Sequence, residues 1–102
     1  MDIVTFSDAR RFSLAGVQHS DLVTQDDLRV TMACFEAGQL DEPRNVAHST
    51  VYQVLEGEAL VRVGDDTDRL GKGRLLTVPA GVAHRLENAG GGLLVVLAIT
   101  PR

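Results

Sequence analysis

Two imidazoles, a phenol and a guanidinium are the side chains of this 102-residue chain whose types and spacing could do chemistry together: His48, His84, Tyr52 and Arg44. Neutral imidazole nitrogens ligate transition metals, and the ring moves protons near neutral pH. A phenol donates a hydrogen bond or, beside a base, a proton. A guanidinium offers a planar fork that matches a carboxylate or phosphate. These groups leave three chemistries open. One is a metal centre on His48 and His84, with a third group from Asp41, Glu42 or Gln53. Another is acid–base work by His84 or His48 with Tyr52. The third is a pocket in which Arg44, His48, Tyr52, His84 and Met32 contact a small organic ligand. The plainer alternatives are partly buried, hydrogen-bonded histidines and a solvated loop arginine.

The remaining candidates are weaker. Cys34 is the only cysteine. It has no His or cation beside it in sequence, so it reads with Met32 as soft apolar filler of the interior rather than as a nucleophile. His19 lies in a polar stretch and reads as solvent-exposed. Asp26, Asp27, Asp65, Asp66 and Asp68 fall at turns and lack the ordered oxygen spacing that calcium requires.

The elements that must position these groups are short strands. Leu75–Val78 is β-prone, Pro79-Ala80-Gly81 reverses the chain, and His84 begins a second run over 83–87. Residues 46–55 form the longest strand candidate, and its parity groups Val46, His48, Thr50, Tyr52 and Val54 on one face. In Leu28–Phe35, Leu28, Val30, Met32 and Cys34 share one face and Arg29, Thr31, Ala33 and Phe35 the other. Further strands are expected over 1–6, 20–25, 58–63, 67–70 and 93–100. The last is a continuous apolar run suited to burial on both faces. Residues 7–16 could hold a short helical turn capped by Ser7 or Asp8. Short strands with frequent turn signals and no amphipathic helix point to an all-β sandwich or barrel.

The stretch GRLLTVPAGVAHRLEN, residues 73–88, carries the spacing G-x5-P-x-G-x2-H-x3-N. It resembles the second conserved motif of the cupins, and Tyr52–Asp66 resembles the end of their first motif with the hairpin that follows. The resemblance implies a cupin-type (RmlC-like) jelly-roll β-barrel. It implies one domain over 1–102, with an N-terminal strand and loop segment at 1–20 and a barrel core at 28–100. In the family, His84 would be one metal ligand. The first motif, G-x5-H-x-H-x3-E-x6-G, supplies the other three. Anchored on Gly38 and Gly57, its two His positions fall on Arg44 and Val46 and its Glu position on Thr50. Of the usual ligands only His84 survives, and one imidazole does not hold a metal against water. The expectation is a cupin without the usual metal set that binds a small molecule in an apolar barrel. The alternatives are a metal-dependent dioxygenase or isomerase with a divalent transition metal on His48 and His84, and a metal-free epimerase-like acid–base enzyme.

Composition agrees with one small globular domain of 44% hydrophobic and 24% charged residues. A net charge of −4 argues against nonspecific nucleic-acid binding. Residues 1–17 lack the pattern of a secretory signal, and 93–99 is far too short an apolar run to span a bilayer, so a cytoplasmic protein is expected. Open strand edges in a small barrel, together with the family's habit, lead to the expectation of a homodimer.

Overall fold

The computed structural model describes residues 1–102. One short helix, α1 (Phe6–Ala9), precedes eight strands: β1 (Gln18–Thr24), β2 (Leu28–Phe35), β3 (Thr50–Glu56), β4 (Ala59–Val63), β5 (Asp66–Leu70), β6 (Leu75–Val78), β7 (His84–Glu87) and β8 (Leu94–Pro101). All strand pairs are antiparallel. One sheet has the order β1-β2-β8-β3-β6 and the other β5-β4-β7. The chain is thus all-β, as its strand pattern leads one to expect, and it forms the jelly roll that the motif resemblance implies. No helix is long and apolar enough to cross a membrane.

Strand β8 lies between β2 and β3, and Leu94–Leu97 are buried on both faces, as a continuous apolar run requires. The register fixes which side chains meet on the inner face. Arg29 pairs with Thr100, Thr31 with Ala98 and Ala33 with Val96. Across β8, Ala98 pairs with Tyr52 and Val96 with Val54. Cross-strand partners share a face, so the inner face is polar at one end and apolar at the other. The main core, including Phe35, Tyr52, Val54, Val61, Leu86 and Leu94, fills the apolar end between the sheets.

A second cluster of Met32, Cys34, Val95 and Leu97 lies on the opposite face of the large sheet, packed by Ala9, Phe12, Leu22, Val30 and Leu55. This corrects the expected interior position of Met32 and Cys34. The apolar face of β2 is the outer one, because the N-terminal segment folds over it. Arg10 fixes that segment with an ion pair to Glu56 at 2.9 Å and stacks on Phe12. Residues 1–5 accordingly form no strand.

Segment 39–46 lies along the free edge of β7 and extends the small sheet. Arg44 and His84 exchange backbone hydrogen bonds of 2.8 and 2.9 Å, Asp41 N–H donates to Leu86 O at 3.0 Å, and Asn88 N–H donates to Gln39 O at 2.9 Å. Gly81 N–H donates to Val46 O at 2.8 Å, which ties the segment to the turn before β7. Strand β3 therefore begins at Thr50 rather than Val46, and residues 47–48 bend. Gly57 closes β3 at φ +82, where a Cβ would stand 2.3 Å from Leu93 O. Only glycine fits there. The buried Asn88 side chain donates to Phe35 O, Glu36 O and Gly92 O, clasping the end of β2 to the turn before β8.

Candidate functional site

Between the sheets lies a cavity of about 340 Å³. The large sheet gives it His19, Arg29, Thr31, Ala33, Thr50, Tyr52, Val96, Ala98 and Thr100, and the covering segment gives it Asp41, Arg44 and Val46. The small side chains Ala33 and Ala98 sit at the middle of two inner-face rows and leave the room that larger residues would fill. Arg44, Val46 and Thr50, the three positions where the first motif would place ligands, all border this space.

Tyr52 and His84 form the buried pair of the site, 6% and 3% exposed. The phenol oxygen is 2.6 Å from His84 Nε2, and the rings meet edge to face. His84 Nδ1 is 3.0 Å from Val82 O. A carbonyl only accepts, so Nδ1 carries the ring proton and Nε2 of the neutral ring accepts from the phenol. Burial pushes the Tyr52 hydroxyl above its ordinary pKa; Arg44 opposes this and Asp41 adds to it. The phenol therefore stays protonated and serves as the donor. Tyr52 borders the cavity, whereas His84 stands behind it.

A second group occupies the rim. His19 Nε2 lies 3.1 Å from Asp41 Oδ2 and 3.0 Å from Arg44 Nη2, and Arg44 Nη2 lies 3.4 Å from the same carboxylate oxygen. The Asp41 side chain is 12% exposed. Burial, the largest influence, raises its pKa. The hydrogen bond and charge of His19, the charge of Arg44 and the Glu42 N–H together outweigh it, so the carboxyl titrates below its usual range. Along the same wall, Arg29 donates from Nε and Nη2 to Asp21 Oδ1 at 3.1 and 2.9 Å. Thr50 is 1% exposed, and its hydroxyl has no hydrogen-bond partner in the protein.

His48 is exposed on the loop before β3 and does not border the cavity. Strand parity does not carry through residues that make no ladder, so its expected convergence with His84 is corrected. Gln53 points outward and Glu42 is exposed, so neither joins His84. Conversely, His19 is exposed as expected but lies on a strand at the rim of the site rather than in a loop. It lies on β1 opposite Ala33 and thus faces inward, because the strand starts two residues before its expected beginning. An apolar alternation around 18–24 is too weak to reveal this.

The residues present do not fit the metal centre of the family. The vacated positions offer a guanidinium, an isopropyl group and a hydroxyl, and the one imidazole has its Nε2 taken by Tyr52. Nowhere in the chain do three or more His, Cys, Asp or Glu side chains gather as ligands. Divalent transition metals need several such donors at once.

A jelly roll with this paired motif geometry defines a class, and sequence comparison agrees with it. The Cupin domain model matches residues 31–100, and the chain belongs to the cupin family. An uncharacterised protein of Streptomyces coelicolor is 32% identical over 75 residues, covering 74% of this chain and 71% of that protein. A gentisate 1,2-dioxygenase of Streptomyces sp. is 40% identical over 70 residues, 65% of this chain; the match spans only 20% of the dioxygenase. Among solved structures, a protein from Thermus thermophilus superposes with a TM-score of 0.92 at 24% identity, covering 99% of this chain and 97% of the other, a likeness of fold.

Proposed function

We propose that this cupin binds a small organic molecule in the cavity between its sheets, without the family's metal set. One observation carries the reading: three of the four positions that would hold the ion, Arg44, Val46 and Thr50, supply no imidazole or carboxylate, while those same three wall a cavity of about 340 Å³. That volume lies at the low end of the range for small-molecule sites, and a wall that is apolar at one end with polar groups converging at the other suits one. The test is native mass spectrometry of protein purified without chelator, with metal analysis of the same sample. A bound organic mass, or release of one on denaturation, with metal well below one equivalent is expected. One tightly held equivalent of transition metal overturns the reading.

A second reading is favoured by the 2.6 Å contact of Tyr52 with His84. A phenol on the cavity wall backed by a buried base has the parts of an acid–base enzyme, with the imidazole accepting the phenolic proton as Tyr52 takes one from substrate. The similarity to a segment of a dioxygenase adds to the case for an enzyme but not for that reaction, because the ligand set does not fit it. Turnover that survives chelator and disappears in Tyr52→Phe supports this second reading. Turnover retained in that variant removes it.

A further inference from the structure

We infer that the cavity takes a small organic acid, its carboxylate held by Arg44, and that its binding draws a proton from solution onto His19. The inference rests on the cavity being a metal-free ligand site.

The geometry at the rim contains a conflict. A ring nitrogen either donates or accepts; it does not do both. His19 Nε2 stands within hydrogen-bond range of a donor, Arg44 Nη2 at 3.0 Å, and of an acceptor, Asp41 Oδ2 at 3.1 Å. With Nε2 bare, the ring accepts from Arg44 and turns a lone pair toward Asp41. With Nε2 protonated, it donates to Asp41 and turns an N–H toward Arg44, whose Nη2 then keeps only its long 3.4 Å contact with Asp41 Oδ2. An incoming carboxylate supplies a better acceptor. Charge balance then selects the imidazolium over the neutral Nε2–H tautomer, since the added anion joins Asp41 against the single cation of Arg44.

Arg44 is the cation equipped for this. Only its Nη2 is hydrogen-bonded; Nε and Nη1 have no partner in the protein. Its side chain is 44% exposed and borders the cavity. Arg29, the other guanidinium of the wall, is committed to Asp21 through two nitrogens. The charged and titratable groups facing His19 are Asp41 and Arg44 from the covering segment and the Arg29–Asp21 pair along β1 and β2. Tyr52 from β3 also faces the cavity, and its hydroxyl is held by His84.

The rest of the ligand follows from depth. Ala33, Phe35, Leu86, Val96 and Ala98 offer apolar contact to a compact body. Thr50, deep in the wall with an unpartnered hydroxyl, calls for a second oxygen on the ligand. The class is a compact, mostly apolar carboxylic acid bearing a further hydroxyl or carbonyl.

Calorimetric titration tests this with benzoate and 3-hydroxybenzoate, each against its amide, in two buffers of different protonation enthalpy. Both acids are expected to bind at millimolar concentration or below, with the amides about tenfold weaker or worse. Proton uptake near neutral pH approaches about one per acid bound and disappears in His19→Gln. Arg44→Gln lowers affinity for the acids about 10- to 100-fold, and Arg44→Lys recovers part of it. Thermal melts establish that each variant is folded; should one not fold, the wild-type acid-against-amide and two-buffer comparisons still decide. Equal binding of acids and amides overturns the inference while leaving an organic-ligand site. Acid binding without proton uptake overturns the role given to His19. No binding of either acid at millimolar concentration overturns the inference, and a stoichiometric metal found beside it overturns the ligand-site reading as well.

Discussion

Replacing Tyr52 by Phe removes one oxygen from the centre of this structure and leaves the ring in place. The phenol donates at 2.6 Å to His84 Nε2, while the other ring nitrogen is held by Val82 O. His84 is 3% exposed, so no bulk water replaces the lost donor. A buried acceptor left without its partner costs about 1–3 kcal/mol. The ring still fills its place beside Val54 and Phe35, so no cavity term adds to this. For a domain of this length, each kcal/mol moves Tm by about 4–8 °C, which predicts a fall of roughly 5–20 °C. Urea denaturation should show a lower midpoint at an unchanged slope, since the surface exposed on unfolding is the same. A double-mutant cycle with His84→Leu should return a coupling of about 1 kcal/mol or more. A Tm equal to wild type, or a coupling near zero, refutes the assignment of this pair as a structural hydrogen bond that occupies the imidazole.

Three further outcomes follow from single residues. Thr50→Val keeps the shape of the side chain and removes a buried hydroxyl with no partner, so ligand-free protein is expected to be unchanged or more stable by about 1 kcal/mol in urea melts; a loss of that size would mean the hydroxyl is bonded after all. Asp41 has its folded pKa lowered, so its contribution is present above the unfolded carboxyl value of about 3.9 and fades as pH falls through the lower folded value. Asp41→Asn should therefore narrow the gap in stability between neutral and acid pH; a gap as wide as wild type contradicts this. Gly57→Ala meets Leu93 O at 2.3 Å on a backbone at φ +82, and soluble folded yield should collapse, whereas Gly91→Ala, with open space around it, should express normally.

The fold was legible because its signals are local. Pro79 and Gly81 mark a reversal, Gly57 a strand end, and residues 93–100 a doubly buried strand; each needs only its neighbours to be read. The site was legible only in part, because its placement depends on what covers each face. Strand β2 shows this most plainly. Leu28, Val30, Met32 and Cys34 look like an interior stripe, yet Phe12 and Ala9 cover that stripe from outside, and Arg29 and Thr31 face the cavity instead. His48 shares parity with Tyr52, but parity holds only where a ladder exists, and the chain just before His48 is bound through Val46 O to the Gly81 turn rather than to a partner of β3. His19 meets Asp41 and Arg44 across more than twenty residues of sequence, a pairing that no local pattern encodes. The motif spacing, by contrast, picks out Arg44, Val46 and Thr50, and all three border the cavity, Thr50 from the large sheet and Arg44 and Val46 from the covering segment.

Exclusion of metal from this site turns on the state of one nitrogen, and nitrogen-15 NMR of the histidine rings during titration with zinc or nickel reads that state directly. The expected result is a neutral His84 with its proton on Nδ1, and an Nε2 signal that stays that of a hydrogen-bond acceptor as metal passes one equivalent. A shift of His84 Nε2 to a metal-bound position, saturating at one ion per chain, would contradict it.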